Sequence, residues 1–307
     1  MSNELIDLNP FDLVIVEGED SRKFLQGQLS CDMDDLTPEN SLIGALCNIK
    51  GRVIADFRVV DYDGKCYLQL EPGMGDIVSE VLSKYIVFSK ATIETKNDQF
   101  YRYGLLGDSA EELLSDLLGS APIKSNQVLR SSEALVIRVS GTTPRFEIWL
   151  PHDGDLAADF HRALLRNTNT EPRSTWEIEN LKNCIFHVDT ASTELYLPET
   201  LNYDLSGIIN FNKGCYTGQE VVARMYYRGK GKKRLFYGYG TITLRSDFTE
   251  TTVSDNDGES HPVLAAVSAD SGESHFLSIL PAKKVEQQST FTIGTIPVTV
   301  MPQANYP

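Results

Sequence analysis

Through roughly the first 220 residues, apolar and polar positions alternate in short stretches, the pattern of half-buried β-strands. Strands are predicted over residues 11–16 and 42–49. Two more, over 52–60 and 65–70, form a predicted hairpin, because Asp61-Tyr62-Asp63-Gly64 between them favours a tight turn. Residues 134–139 and 145–150 predict another hairpin.

Between these strands the apolar residues recur with helical spacing. The predicted helices are residues 74–85, a helix capped by Ser109 and ended by Gly119, residues 156–166, and a helix capped by Ser174. Each of the two serines precedes a glutamate by three residues, which is the spacing of a capping box. Hairpins followed by helices, without strict strand–helix alternation, indicate the α+β class.

From about Lys233 onward the helical spacing disappears, and no helix is predicted there. Aromatic and β-branched residues predict strands over residues 234–244, 263–267, 275–280 and 291–300, separated by polar loops. A small all-β barrel or sandwich of roughly 75 residues is the natural interpretation.

Composition and charge narrow the functional classes. The 307 residues carry a formal net charge of −15, which repels a nucleic-acid backbone and argues against direct tight binding of RNA. The apolar runs are too short to cross a membrane, and the first residues lack a secretion signal, so a cytoplasmic protein is expected. The five cysteines form no C-x-x-C pair, and the histidines show no metal-ligand spacing. Neither a disulfide framework nor a protein-built metal site is predicted.

One segment departs from the acidic background. Six of the eleven residues from Arg224 to Arg234 are basic. This run predicts either a solvated hairpin or a landing site for an anionic ligand or an acidic partner.

Just upstream lies the most informative string of the chain. Thr217 and Glu220 have capping-box spacing, so a helix is predicted to begin at about Gly218. Cys215 precedes that helix and Lys213 lies two residues further upstream, so the helix dipole and an ammonium would both favour the thiolate. Cys215 is therefore a candidate functional thiol with Lys213 as its activator. The alternative is an inert cysteine in a structural turn.

The string Lys213-Gly214-Cys215-Tyr216-Thr217-Gly218-Gln219-Glu220 also resembles the signature of the YgfZ family. These proteins are bacterial folate-binding relatives of the glycine-cleavage T-protein, and their mitochondrial relatives serve in iron–sulfur maturation. Further similar segments are Gly18 to Gln28, Asn48-Ile49-Lys50-Gly51-Arg52, Glu194 to Leu201 and the basic run.

This resemblance implies a T-protein-like three-lobed ring, with two interleaved α+β lobes in residues 1–228 and a C-terminal β-barrel in residues 229–307. It implies a central site for tetrahydrofolate or a derivative, with Phe11 and Trp176 against the pterin ring. Arg224 and Arg228 would receive the anionic folate tail. Without the resemblance, Phe11 and Trp176 would be interpreted as core residues, although flat heteroaromatic rings do stack on such side chains.

The implied function is that of an auxiliary protein for iron–sulfur enzymes or assembly proteins, including enzymes that methylthiolate tRNA, and not a metabolic enzyme. One alternative is a folate-dependent aminomethyltransferase, an enzyme of one-carbon transfer. In the related T-protein that chemistry uses an Asp-Asp pair, and here Ala55 stands in place of one aspartate while Asp56 remains. The other alternative is an assembly scaffold that binds no folate and contacts its partner through Cys215.

Overall fold

A computed structural model describes residues 3–132, 134–152, 155–228, 232–242, 244, 248 and 250–302. Within these ranges the side chain of Arg228 is not described. Among the described residues, no helix combines the length and the apolar character needed to cross a lipid bilayer.

The elements follow one another from strand-rich lobes to a final group of strands. In chain order they are β1 Asn3–Asp7, β2 Asp12–Glu17, α1 Ser21–Gln26, β3 Leu42–Cys47, β4 Val53–Tyr62, β5 Lys65–Leu70, α2 Met74–Ser83, β6 Thr92–Thr95, β7 Phe100–Leu106, α3 Ala110–Leu118, β8 Val128–Arg130, β9 Leu135–Val139, β10 Arg145–Pro151, α4 Asp155–Asn167, β11 Thr168–Glu171, α5 Arg173–Lys182, α6 Gln219–Arg228, β12 Lys233–Gly240, β13 Thr252–Ser254, β14 Ser260–Ser268, β15 Ser274–Pro281, α7 Ala282–Glu286, β16 Phe291–Ile293 and β17 Ile296–Val300.

The N-terminal lobes contain two sheets, and the strands of each sheet come from separate parts of the sequence. One sheet has the order β3-β4-β5-β2-β6, and the other has the order β11-β1-β7-β10-β9-β8. β1 pairs with β7 and β11 in the six-stranded sheet, whereas β2 pairs with β5 and β6 in the five-stranded sheet. The chain therefore places its first strand in the six-stranded sheet before it forms the five-stranded one. The predicted class, α+β with interleaved lobes and a terminal barrel, is confirmed.

The turn between β4 and β5 forms as its residues predict. Tyr62 pairs with Lys65 across it. Asp63 and Gly64 both have positive φ, 52° and 76°, which is the geometry of the tightest hairpin turns.

Two predicted helix starts need correction. The helix that Ser174 was expected to cap instead begins at Arg173, with the extended residue Pro172 at its N-cap. Ser109 does lie at the N-cap of α3, but its side chain makes no capping hydrogen bond. Gly119 ends α3 in the left-handed conformation, as predicted. Pro172 suits the start of α5 because the first N–H groups of a helix have no partner within the helix, so a nitrogen without a hydrogen loses no hydrogen bond.

Six strands, β12-β15-β14-β13-β16-β17, close the C-terminal barrel. The short helix α7 was not expected there. Leu235, Leu277 and Ile279 of the barrel share a core with Phe186 and Leu201, so the barrel packs against the segment that follows α5. The division into residues 1–228 and 229–307 stays a prediction, since residues 229–231 lie outside the described part of the chain.

Candidate functional site

A cavity of about 520 Å³ lies where the two sheets meet the segment after α5. Its wall comes from β4 and β5 on one side, from β9 and β10 on another, and from α5 with residues 183–208 on the third. This volume falls within the range of sites for small organic ligands, about 300–1,000 Å³.

One part of the wall is aromatic. Phe11 and Trp176 both line the cavity and belong to the same buried cluster, with 7% and 3% of their surfaces exposed. Trp176 packs directly on Gly104 of β7. The Arg145 guanidinium lies 5.1 Å from the centre of the Trp176 ring, and that of Arg173 lies 4.6 Å from the Phe11 ring. The structure therefore brings the two predicted aromatic residues together, as core and as cavity wall at once.

Another part of the wall carries charge. Asp56 Oδ2 lies 2.6 Å from His187 Nδ1, and Asp56 Oδ1 accepts a hydrogen bond of 2.7 Å from the Val188 amide. On β10, Glu147 receives hydrogen bonds from Arg58 at 3.3 Å and from Gln69 at 2.9 Å.

A third acidic residue, Glu71, follows β5 and pairs with Arg173 at 2.9 Å. Burial raises the pKa of its carboxyl, against the attraction of His187 and Arg173. Burial and the neighbouring Asp56 also raise the pKa of Tyr203, whose hydroxyl donates to the Phe186 carbonyl. A buried carboxylate that is paired with a cation stays ionised, and its oxygens can accept further hydrogen bonds from a ligand.

The signature string lies elsewhere. Neither Lys213 nor Cys215 is among the described residues that line the cavity. Cys215 is exposed, whereas the four other cysteines are buried. The helix α6 begins at Gln219, one residue after the predicted start, but the Thr217 hydroxyl bonds to Gln28 Oε1 at 3.1 Å instead of capping the helix.

The structure directs the Lys213 ammonium to backbone carbonyls and not to the thiol of Cys215, which it was predicted to activate. Lys213 is buried, and its ammonium donates to the carbonyls of Gln26, Leu29 and Cys31 at 2.9, 2.7 and 2.6 Å. An ammonium has three N–H donors, so these three bonds leave none for a thiolate. Burial lowers the pKa of Lys213. The lysine ties the signature string to the turn after α1.

This arrangement predicts the effect of Lys213→Met on stability. The substitution leaves three carbonyls without their charged donor, and we expect the free energy of unfolding to fall by about 1–3 kcal/mol in urea denaturation. Lys50→Met, at an exposed lysine, is the matched control and should change it by less than about 0.5 kcal/mol. An unchanged stability in Lys213→Met would contradict the role of the lysine as a tie.

Of the two arginines predicted to receive the folate tail, the structure describes the side chain of one, and their role stays a prediction. Arg224 is exposed on α6 and does not line the cavity, and the side chain of Arg228 lies outside the described residues, as does Lys230. Arg234, at the end of the basic run, is paired with Asp204 through two contacts of 2.9 Å.

The barrel contains the group of potential metal ligands found among the described residues, Asp255, Glu259 and His261. The Lys284 ammonium lies 2.5 Å from Asp255 and 2.8 Å from Asp257. A lysine therefore occupies the place that a cation would take, and it contributes with His261 to a strongly lowered pKa of Asp255 against the effect of burial.

Sequence reasoning missed most of the charged wall. His187 contacts a residue 131 positions away, and Glu147 contacts Arg58 across 89 positions. No local spacing signals such pairs. The available signal was the presence of charged residues, Asp56 and Arg58, among the apolar residues of one predicted strand.

Comparison with known proteins agrees with this architecture. Residues 2–146 match the family model described as the GCVT N-terminal domain. The aminomethyltransferase T of the glycine cleavage system from Bartonella henselae superposes with a TM-score of 0.77 at 16% identity, covering 99% of this chain and 87% of that one. At that identity the likeness shows the fold. The chain thus has the fold of the glycine-cleavage T-protein.

Relatives in sequence define the family within that class. The tRNA-modifying protein YgfZ of Colwellia psychrerythraea is 31% identical, over 97% of this chain and 94% of its own length. The protein of the same name from Klebsiella pneumoniae is 30% identical, over 94% of this chain and 88% of its own. The chain belongs to the YgfZ family, as its signature string indicated.

Proposed function

We propose that this protein binds a reduced folate in the cavity and serves as an auxiliary factor for iron–sulfur enzymes, including enzymes that modify tRNA. The observation that carries the folate part is the pairing of Phe11 and Trp176 on one cavity wall. A pterin is a flat heteroaromatic ring, and such rings gain free energy on aromatic side chains beyond the area they bury. The tRNA part rests on the names of the relatives.

The residues present fit a folate. A pterin carries N–H donors along one edge, and the cavity offers carboxylate and amide oxygens. These oxygens belong to side chains that line the cavity, namely Asp56, Glu71, Glu147, Asn126 and Asn180. A donor-rich ligand edge can bond to such acceptors.

The anionic tail of a folate would need a cationic surface. In the basic run the described residues Arg224, Lys232 and Lys233 are exposed, while Arg234 is committed to Asp204. We propose this run, with Arg228, as the region that receives the tail. The exposed thiol of Cys215 lies just before the same helix and is proposed as the contact with iron–sulfur partners.

Transfer of an aminomethyl group receives less support. Ala55 is fully buried in the core of the first sheet, whereas its neighbour Asp56 lines the cavity. One carboxylate, that of Asp56, is therefore available on the cavity side of β4 at this pair.

Fluorescence titration with tetrahydrofolate tests the folate proposal. The chain has two tryptophans, and Trp149 is buried in a different cluster, so Trp149→Phe leaves Trp176 as the reporter at the cavity. We expect saturable quenching with Trp149→Phe. In Trp176→Leu, which keeps apolar bulk but removes the ring, binding measured by calorimetry should weaken at least about tenfold. Equal affinity in Trp176→Leu and Trp149→Phe would contradict the proposed placement, and no binding at all would favour the folate-free scaffold.

A further inference from the structure

The cavity holds a histidine whose two ring nitrogens have different surroundings. His187 Nδ1 lies against Asp56 Oδ2, and the other oxygen of Asp56 is held by the Val188 amide. The imidazole is therefore oriented by a carboxylate that is itself fixed, with 3% of the Asp56 side chain exposed. A carboxylate on one nitrogen fixes the proton there and leaves the other nitrogen to face a ligand.

The second nitrogen of His187 faces open space. The side chain is 37% exposed and lines the cavity. Among the described residues, Nε2 has no hydrogen-bond partner. In the imidazolium form this atom is an N–H donor that a ligand could use.

The arginines paired with Glu147 and Glu71 are already engaged. Arg58 bonds to Glu147, Ser41 and Asn126. Arg173 bonds to Glu71 and lies over the Phe11 ring. Because both guanidiniums are held by the protein, His187 is the cavity-lining cation of the described residues that is oriented and still open to a ligand.

The charges around His187 favour its protonated form. The carboxylates around it are Asp56 on β4, Glu71 after β5 and Glu147 on β10. Glu147 is paired with Arg58 of β4, and Glu71 is paired with Arg173 of α5. Burial acts to lower the pKa of His187, but the three carboxylates outweigh it, and the pKa is raised above its ordinary value. The proton is therefore present below that raised pKa and lost as the pH rises through it.

We propose that His187, held by Asp56, recognises an oxygen acceptor of the cavity's ligand, a carbonyl or a carboxylate, by donating a hydrogen bond from Nε2 as an imidazolium. This inference rests on the proposed folate binding and deepens it. A folate offers such oxygens on its pterin ring and its glutamate tail, while the remaining wall is rich in acceptors. His187 would thus be a specificity residue that makes affinity depend on pH.

The dissociation constant for 5-formyltetrahydrofolate, measured by calorimetry from pH 6 to pH 9, tests the proposal. If one proton on His187 is linked to binding, the constant of the parent protein should rise about tenfold per pH unit above the pKa of the histidine. Calorimetry in buffers of different ionisation enthalpy should then show uptake of up to one proton. His187→Gln keeps a neutral donor near the Nε2 position, so it should bind without that slope and without that uptake.

Two further variants separate binding from folding. His187→Asn keeps a donor near Asp56 but none near Nε2, and it should bind at least tenfold more weakly than the parent at pH 6. His152→Gln is the matched control, because His152 is exposed and does not line the cavity; it should keep the pH profile of the parent. Thermal melts identify any variant that fails to fold, and at pH values where the free ligand does not titrate the proton uptake of the parent protein tests the proposal without a variant.

The possible results are distinct. Titration of the ligand itself appears equally in the parent and in His187→Gln, so only the difference between their slopes counts. Equal slopes, or binding by the parent without proton uptake above the pKa, would overturn the role of His187 and leave folate binding intact. Absence of binding at every pH would overturn the proposed function and this inference with it.

Discussion

Timed alkylation of the native protein at neutral pH should label Cys215 and leave the other four cysteines unmodified until the protein unfolds. Cys215 is the exposed cysteine, and the others are buried. Burial raises the pKa of Cys31 and of Cys47 to about 12 and that of Cys66 to about 11. At pH 7 a thiol of pKa 12 is thiolate in roughly one molecule in 10⁵, and the thiolate is the nucleophile.

The experiment is mass spectrometry of peptides after pulses of iodoacetamide, with a repeat in urea. Cys215→Ser should remove the rapid labelling, and in urea the remaining four thiols should react at similar rates. Lys213→Met, followed under conditions in which it stays folded, should change the rate at Cys215 less than about threefold, because the ammonium is committed to three carbonyls. Rapid labelling of a buried thiol in the folded protein would contradict this prediction.

The same thiol connects reactivity with the proposed function. In cells that lack the parent protein, Cys215→Ala should fail to restore tRNA methylthiolation while its purified form still binds folate, since Cys215 does not line the cavity. Full restoration by Cys215→Ala would show that the signature string is a structural turn.

Local features of the fold were predictable because their causes are local. Lys65–Leu70 was predicted to the residue, and Gly119 ends α3 as its lack of a side chain allows. The strands β1 and β7 were not predicted, although they pair with each other inside the six-stranded sheet. In parts of these strands successive side chains are both buried, as at Leu105 and Leu106. The alternation of apolar and polar residues that marks a half-buried strand is therefore missing there.

In the site, single residues could be predicted from the sequence, but contacts between residues far apart in the sequence could not. Phe11 and Trp176 came from resemblance and were found together. The partners of Lys213 could not be predicted, because its acceptors lie more than 180 positions away in a turn whose approach no spacing reveals. The pairing of His187 with Asp56 was missed for the same reason. Side-chain direction in these cases is decided by tertiary packing.

The second large effect is expected at Gly104, where a single methyl group would meet the cavity wall. An alanine Cβ there would lie 2.6 Å from Cε3 of Trp176 and 2.8 Å from Cζ3. Retreat towards Arg145 is blocked, since this arginine lies over the ring and is itself held by Asn180 at 2.7 Å. Gly104→Ala should lower the free energy of unfolding by about 1–3 kcal/mol, the usual cost of overpacking a core.

The same displacement should reach the ligand. A ring pushed from Gly104 can move only where space exists, and the cavity is the space next to it, so folate affinity should fall at least about tenfold in Gly104→Ala. Gly214→Ala is the control, because its new Cβ meets no atom within 4 Å, and both stability and affinity should stay at the parent's values.

A double-mutant cycle decides whether the clash with the indole is the cause. Leucine has no atoms where Cε3 and Cζ3 of Trp176 lie, so Gly104→Ala should destabilise Trp176→Leu much less than it destabilises the parent protein. Residues in contact commonly show coupling of about 0.5–3 kcal/mol, whereas independent sites add within about 0.5 kcal/mol. Strict additivity would mean that Gly104 matters for its strand and not for the indole, and the aromatic wall would then have to be held by Arg145 and the helix α5 alone.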